Sequence, residues 1–187
     1  DSDIQWIIDP LDGTTNFLHG FPVFAVSIAV AQRGRLEVGV IYDPMRQELF
    51  SASRGQGAQL DDKRIRVSKS KGLEGALIVT GFPYRANLRW LDSYLAMLKA
   101  VSLAAAGVRR PGSAALDLCF VASGWFDGYW EHKLQPWDIA AGMLIAAEAG
   151  ARVTAFDGSP ATPERGEVVA TNGLIHDAVL EVLGRVP

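Results

Sequence analysis

The chain has 187 residues, of which 49% are hydrophobic and 21% are charged, and its formal net charge is −3. This composition is typical of a folded globular protein and excludes a disordered chain. The slight acidity argues against nucleic acid or a membrane surface as a direct partner, and no apolar run reaches the roughly 18–20 residues of a membrane-spanning helix. The single cysteine, Cys119, lies among apolar residues and is typical of a buried thiol in a cytoplasmic protein.

The first part of the chain, residues 1–73, has the pattern of a series of strands. Short apolar runs are separated by tight turns that contain glycine. The runs cover residues 4–9, 23–32, 36–44, 48–55, 57–62 and 63–68. Consecutive strands joined by short turns predict an antiparallel sheet, and the polar stretch around Gly72 indicates a boundary near residue 73.

The remainder of the chain, residues 74–187, alternates between strand and helix patterns. Strand patterns cover residues 75–82, 107–112, 125–131, 151–158 and 167–172. Helical patterns cover residues 87–106, 113–124, 138–150 and 174–183. Such alternation is typical of an α/β arrangement. The sequence therefore predicts a mixed α/β fold, in which an antiparallel-sheet half precedes an α/β half.

The run WIIDPLDGTTNF, residues 6–17, ends an apolar strand in residues that bind ions. Pro10 is expected to stop the hydrogen-bond ladder of the strand and to bend the chain between Asp9 and Asp12. Two carboxylates that converge on one point repel each other, and a divalent cation that prefers hard oxygen ligands relieves the repulsion. Asp9, Asp12 and the backbone carbonyl of Leu11 are therefore candidate metal ligands.

The residues that follow Asp12 predict a tight turn next to these acids. Gly13 lets a ligand approach the backbone, and N–H groups in such a turn bind phosphate oxygens. A threonine hydroxyl, such as that of Thr14, can hold an attacking water molecule. Metal-binding acids beside an anion site indicate metal-assisted phosphoryl transfer to water. The alternative is a plain strand-to-turn junction with an Asx turn.

A second acidic segment lies far along the chain, in LQPWDIAAG. Asp138 follows Pro136 and begins a helix of small residues, which let another element pack closely. An aspartate in this place is commonly an N-cap. The alternative is that Asp138 turns toward a metal that Asp9 and Asp12 already hold.

Two further polar segments have open interpretations. Glu131 ends a strand, where it is either a solvated surface acid or an acceptor for substrate hydroxyl groups. The residues Gly112, Ser113 and Ala114 begin a helix. This helix start is either simply capped by Ser113 or presents its N–H groups to a ligand.

Together these segments resemble the inositol monophosphatase family. WIIDPLDGTTNF is similar to the first acidic motif of the family, and PWDIAAG, with EAGA closing its helix, is similar to the second. GSAALDL and DGYWE resemble segments of bacterial members, so that the resemblance covers essentially the whole chain. It implies a layered αβαβα sandwich of the sugar phosphatase type, a homodimer, Mg²⁺ as cofactor and inhibition by Li⁺.

The resemblance also implies a role for each matching position. The implied Mg²⁺ ligands are Asp9, Asp12, Asp138 and the Leu11 carbonyl. The implied catalytic residues are Asp9, Asp12 and Thr14, with the Thr14 hydroxyl near the nucleophilic water. The implied substrate-binding residues are Leu11, Asp12, Gly13, Thr14, Gly112, Ser113, Ala114, Glu131 and Asp138.

The chain departs from the family pattern at its start. Family members carry an N-terminal helical pair and a Gly-Glu-Glu segment with a further metal-ligand glutamate, and neither precedes Asp9 here. We expect the intact protein to continue upstream of residue 1. We also expect these 187 residues alone to hydrolyse phosphate esters poorly.

The implied activity is that of a Mg²⁺-dependent phosphomonoesterase. Its substrate would be a small phosphate ester, myo-inositol monophosphate or a related polyol phosphate, hydrolysed by in-line attack of metal-activated water. Related phosphatases act on histidinol phosphate, fructose 1,6-bisphosphate or a nucleotide 3′-phosphate, and these substrates stay open. A different alternative is a regulatory protein-binding role with vestigial catalysis, because some bacterial members contact the transcription machinery.

Overall fold

The structure is a computed structural model that describes residues 3–83 and 85–184. These residues form two β-sheets with helices between and beside them. The boundary expected near residue 73 falls between the last strand of the first sheet and the first strand of the second. The outer ends of the two predicted halves, residues 1–2 and 185–187, lie outside the described residues.

The first sheet has six strands, and each pairs antiparallel with the next along the chain. The antiparallel half predicted from the short strand runs is therefore confirmed. Alternate residues of each strand point to the same side of the sheet. The residues on one of the two sides are buried. The strands are β1 (Ile4–Asp12), β2 (Ala25–Gln32), β3 (Arg35–Asp43), β4 (Glu48–Ser53), β5 (Gly57–Leu60) and β6 (Lys63–Arg64).

The second sheet has five strands in the spatial order β10-β11-β9-β7-β8. The strand β7 pairs parallel with β8 and β9, whereas β11 pairs antiparallel with β9 and β10. The strands are β7 (Leu77–Thr80), β8 (Gly107–Arg109), β9 (Gly128–His132), β10 (Arg152–Thr154) and β11 (Glu167–Thr171).

Five α-helices are described, together with three short 3₁₀ turns. The helices are α1 (Thr14–Leu18), α2 (Leu91–Ala104), α3 (Ala114–Ala122), α4 (Pro136–Glu148) and α5 (His176–Gly184). The 3₁₀ turns are Leu73–Gly75, Arg85–Trp90 and Pro163–Arg165. Among the described residues, none of the helices combines the length and the apolar character needed to cross a membrane.

The helices α3 and α4 lie between the two sheets, and α2 and α5 cover the other face of the second sheet. Neighbouring residues of the second sheet show this division. Val79 and Tyr129 belong to the core around α3 and α4, whereas Ile78 and Trp130 belong to the core around α2 and α5. The described residues thus form successive layers of sheet, helices, sheet and helices, and the predicted layered α/β fold is confirmed.

The layer of α3 and α4 positions the start of each helix at one end of the first sheet. Small residues make this close packing feasible, since Ala140, Ala141 and Gly142 of α4 are all buried. The start of α4 therefore lies beside the end of β1, where the acidic residues of the first motif are found.

Candidate functional site

A cavity of about 390 Å³ opens where the end of β1 meets the starts of α3 and α4. Separate chain segments build its wall: the end of β1 with α1, the residues after β7, the loop before α3, the end of β9 and the start of α4. Every residue predicted for the site lines this one cavity: Asp9, Leu11, Asp12, Gly13, Thr14, Gly112, Ser113, Ala114, Glu131 and Asp138.

A bulge in β1 turns Asp9 and Asp12 to the same face of the sheet. Asp9 lies opposite Ser27 and Asp12 lies opposite Ala25, so that three steps along β1 match two steps along β2. Without the extra residue, side chains three positions apart would point to opposite faces. The prediction that Pro10 ends the strand is wrong, because β1 continues to Asp12 through a bulge at the sheet edge, where proline is tolerated.

The carboxylate of Asp12 is buried and is held through one oxygen. Its Oδ2 accepts the Ser113 hydroxyl at 2.5 Å and the Ala115 N–H at 2.9 Å. Burial raises the pKa of Asp12 to about 7, while these two hydrogen bonds lower it. The nearby carboxylates of Asp138 and Asp9 raise the pKa further.

Asp138 stabilises the start of α4 and also belongs to the acidic cluster. The N-cap is Gln135, and Oδ2 of Asp138 accepts the Gln135 N–H at 2.7 Å from the third helical position. Pro136 occupies the first helical position, where its missing N–H costs nothing. Burial raises the pKa of Asp138 to about 6, although the hydrogen bond from Gln135 lowers it. The interpretation of Asp138 as the N-cap is therefore wrong, because the N-cap is Gln135, three residues earlier.

Asp9, Asp12 and Asp138 each bring a carboxylate oxygen within 4.8 Å of the other two. Backbone N–H groups donate to Oδ1 of Asp9 and to Oδ2 of both other residues, which leaves the second oxygen of each carboxylate without a backbone donor in these bonds. Three converging carboxylates, two of them with raised pKa values, suit a hard divalent cation that relieves their repulsion. The residues present therefore fit a metal ion.

The turn after Asp12 is shaped by Gly13 and leads into α1. Gly13 has a φ of 83°, and a Cβ atom there would lie 2.9 Å from the carbonyl oxygen of Val23, so that only glycine fits. The Thr14 hydroxyl donates to the Leu11 carbonyl at 2.9 Å. Since its proton is used in that bond, the hydroxyl oxygen keeps its lone pairs for a donor in the cavity.

Asn16 ties this turn to the loop before α3. Its side-chain amide donates to the Pro111 carbonyl at 2.9 Å. In that loop the Ser113 hydroxyl accepts the Leu116 N–H at 3.4 Å as the N-cap of α3 and also donates to Asp12. Ser113 is thus a helix cap and a partner of the acidic cluster at once.

Glu131 is half-buried in the cavity wall, and the alternative of a solvated surface acid is wrong. The Tyr129 hydroxyl donates to its Oε2 at 2.8 Å. A side chain at Gly81 would overlap the Glu131 carboxylate, so glycine makes room for it. Burial raises the pKa of Glu131 to about 8, while the hydrogen bond from Tyr129 lowers it and Asp12 raises it.

Two charged residues of the wall, Asp117 and Arg110, were not predicted from the sequence. Asp117 is 1% exposed, and neither of its carboxylate oxygens has a hydrogen-bond partner. The guanidinium of Arg110 lies 5.5 Å from the centre of the Phe82 ring. A signal was present for Asp117, because it is the one charged residue in the apolar run AALDLCFVA.

The layered fold and the converging carboxylates define a class of protein. A family model described as the inositol monophosphatase family matches residues 1–186. The chain therefore belongs to the inositol monophosphatase family, and the resemblance inferred from its two acidic motifs is confirmed.

Individual relatives agree with this assignment. The Nus factor SuhB of Pseudomonas aeruginosa is 52% identical over 183 residues, which cover 97% of this chain and 68% of that protein. The structure of extragenic suppressor protein suhB from Bartonella henselae matches with a TM-score of 0.93 and 47% identity, over 98% of this chain and 71% of that one. The inositol monophosphatase of Anabaena matches with a TM-score of 0.91 and 44% identity, over 100% of this chain and 74% of that one.

Proposed function

We propose that this chain carries the site of a Mg²⁺-dependent phosphomonoesterase that hydrolyses myo-inositol monophosphate or a related polyol phosphate. The observation that carries the proposal is the cluster of Asp9, Asp12 and Asp138 beside the turn of Gly13 and Thr14. This arrangement combines hard cation ligands with backbone N–H groups suited to a phosphate. The family, and the name of the relative from Anabaena, support the same substrate class.

In this proposal the side chains of Asp9, Asp12 and Asp138 and the Leu11 carbonyl would hold the metal. When bound, Mg²⁺ supplies a Lewis acid that neutralises phosphate charge and activates water for in-line attack. The chain itself orients the carboxylates, since each accepts a backbone N–H on one oxygen. These fixed carboxylates need no rearrangement when the substrate binds.

Thr14 is proposed to orient the attacking water. Its hydroxyl proton is committed to the Leu11 carbonyl, so its oxygen is an acceptor toward the cavity. A water molecule that donates a hydrogen bond to this oxygen points a lone pair of its own away from Thr14. This orientation favours attack by the water on a phosphate bound at Gly13. Glycine at position 13 leaves room for the Val23 carbonyl beside this turn.

The opposite part of the wall is proposed to bind the polyol. When ionised, Glu131 can accept substrate hydroxyl groups on both carboxylate oxygens, and the Tyr129 hydroxyl fills one of these acceptor sites. Residues 112–114, at the start of α3, line the same cavity and are proposed to complete the contact surface. A ring that carries several hydroxyl groups suits this wall better than an apolar alcohol does.

The proposal is tested by measuring phosphate release from a substrate panel with Mg²⁺. We expect slow hydrolysis by this chain, with polyol phosphates ahead of histidinol phosphate, fructose 1,6-bisphosphate and a nucleotide 3′-phosphate. The variant Asp138→Asn gives the background rate, because it loses a proposed metal ligand but keeps an oxygen for the Gln135 N–H. A clear preference for the nucleotide would contradict the proposed substrate class.

A second candidate function is a protein-binding role in transcription, which is favoured by the name Nus factor of a relative that is 52% identical. The binding role is separated from catalysis in cells that lack the intact protein, by expressing the intact protein with Asp138→Asn in its place. A variant without hydrolysis that still restores growth would support the binding role. Loss of both properties together would favour the phosphatase function.

We further propose that the protein forms a homodimer and that residues 1–73 and 74–187 are its two structural halves. The support is family membership for the dimer and the division of strands between two sheets for the halves. Light scattering of the purified chain gives the mass in solution. A mass of one chain at micromolar concentration would contradict the dimer.

A further inference from the structure

Gly81 directly follows β7 and is buried in the cavity wall. Its φ is not positive, so a residue with a side chain can adopt the same backbone conformation. Space is what excludes a side chain here, because the three heavy atoms nearest to an added Cβ are Oε1, Cδ and Oε2 of Glu131. The glycine at position 81 therefore leaves the space that the carboxyl group of Glu131 occupies.

Pairing between β7 and β9 brings these two residues together. The strands are parallel, with Thr80 opposite Trp130, so that Gly81 and Glu131 are the next residues along the two chains. The Thr80 hydroxyl donates to the Trp130 carbonyl at 2.7 Å and ties the two strands at this point. The carboxyl group of Glu131 also accepts the Tyr129 hydroxyl on Oε2 at 2.8 Å. Glu131 thus has a fixed place against the backbone of Gly81.

A methyl group at position 81 would displace the side chain of Glu131 rather than the backbone. The overlapping atoms are the far end of a side chain, which can rotate, whereas a Cβ at Gly13 would meet the backbone carbonyl of Val23. Glu131 lines the cavity, so the cavity offers the space into which its carboxyl group can move. We therefore expect Gly81→Ala to keep the fold and to move the carboxyl group.

We propose, on the basis of the proposed phosphatase function, that Gly81 is a positioning residue that acts through Glu131 and makes the site select a ring with several hydroxyl groups. With glycine at position 81, the carboxyl group lies back against the end of β7, where its oxygens meet the hydroxyl groups of a ring whose phosphate is bound at Gly13. A side chain at position 81 moves these oxygens away from the hydroxyl groups. The placement of a few polar groups gives a ligand site its specificity, and a displacement of about 1 Å weakens such a contact strongly.

The experiment compares two ring substrates at one pH and saturating Mg²⁺: myo-inositol monophosphate, which carries hydroxyl groups on its ring, and phenyl phosphate, which carries none. In Gly81→Ala we expect KM for the first to rise by about tenfold, as for a lost hydrogen bond, and KM for the second to change by less than about twofold. The matched control is Gly107→Ala on β8, outside the cavity wall, where an added Cβ meets the side chains of Arg109 and Leu77. We expect it to change neither KM. An equal rise for both substrates in Gly81→Ala would overturn the proposal.

A second comparison tests whether the effect passes through Glu131. Glu131→Asp shortens the side chain by one methylene group and draws the carboxyl group back from the space of the added methyl group. Changes that act through one contact are not additive, whereas independent changes multiply in KM. In the Glu131→Asp background we therefore expect Gly81→Ala to change KM for myo-inositol monophosphate by less than about twofold. A full tenfold rise in this background would contradict the proposal.

Thermal unfolding tests the same contact without turnover. If Gly81→Ala alone does not fold, we expect the double variant Gly81→Ala/Glu131→Asp to recover the Tm of Glu131→Asp, because the overlap is relieved, and no recovery would overturn the proposal. If the unchanged chain hydrolyses neither ester, the proposed phosphatase function fails. The Tm values of the unchanged chain, the two single variants and the double variant then still decide whether Gly81 positions Glu131, since non-additive losses support the contact and additive losses overturn it.

Discussion

Two acidic walls face one cavity, and they are built differently. On the β1 side, Asp9, Asp12 and Asp138 each accept a backbone N–H on one oxygen. On the β9 side, Glu131 accepts a tyrosine hydroxyl and Asp117 lacks a partner among the described residues. Backbone donors favour ionised carboxylates that can share a cation, whereas enclosure without donors favours protonated ones. This difference fits the proposed roles, in which the first wall binds a cation and the second binds substrate hydroxyl groups.

The largest effect is expected from breaking the first wall. In Asp138→Asn one of the three converging carboxylates is lost, and we expect hydrolysis to fall by more than about 100-fold, since even residues behind a metal ligand contribute 10–100-fold. Phosphate release with Mg²⁺ measures this loss. The control is Asp177→Asn, a surface acid on α5 whose side chain is 85% exposed. Equal losses in both variants would mean that the β1 side has no special role.

A smaller loss is expected at the turn that adjoins this wall. Thr14→Val keeps the shape of the side chain but removes the hydroxyl that binds the Leu11 carbonyl, and we expect kcat to fall by about 100-fold, as for loss of a positioned proton-transfer group. Thr14→Ser keeps the hydroxyl and should retain most of the activity. Similar rates for the valine and serine variants would remove Thr14 from the proposed mechanism.

The second wall should respond in KM rather than in kcat. Glu131→Gln replaces a carboxyl group, which accepts on both oxygens when ionised, by an amide with one acceptor oxygen, and we expect KM for myo-inositol monophosphate to rise by about tenfold, which corresponds to roughly 1.4 kcal/mol of lost binding. Tyr129→Phe removes only the donor to Glu131 and should have a weaker effect in the same direction. A fall in kcat with unchanged KM would place Glu131 with the catalytic wall instead.

The smallest effect is expected from pH on the folding stability of the metal-free chain, through the carboxylates of the first wall. The pKa values of Asp12 and Asp138 are raised from 3.8 to about 7 and about 6, so the folded chain binds protons more tightly than the unfolded chain. The resulting stability is fully present below about pH 4 and is lost as the pH rises through 6 to 7.

Mg²⁺ should reverse this loss, because it binds the deprotonated carboxylates and competes with protons. We therefore expect the cation to raise Tm by a few degrees near pH 8 and by much less near pH 5.5. Thermal unfolding with and without Mg²⁺ at both pH values measures the difference. An equal shift in Asp138→Asn would indicate that the cation stabilises the chain elsewhere.

Much of the site was predictable from residue chemistry. Runs such as WIIDPLDGTTNF carry the acids, glycine and threonine together, and local spacing is enough to recognise them. The α/β arrangement also follows from periodicity, because alternation of apolar residues reports directly on strand and helix faces.

Other features depend on contacts between distant parts of the chain. The bulge in β1 is defined by pairing with Ser27 and Ala25, so spacing alone placed the end of the strand at Pro10. The burial of Glu131 depends on Gly81, which lies 50 positions earlier in the chain. Asp117 was missed because its neighbours are supplied by other strands, and a single acid in a helix does not reveal which groups surround it.

The bulge at Pro10 has a consequence for solubility. In the sheet formed by the described residues, β1 is an edge strand, and Trp6 on it is 65% exposed. A flat, regular edge with apolar side chains is a template on which another chain can add a strand and begin an aggregate. The irregular stretch around Pro10 removes an N–H donor and twists the edge, so the geometry that gathers the acids also guards this strand against self-association.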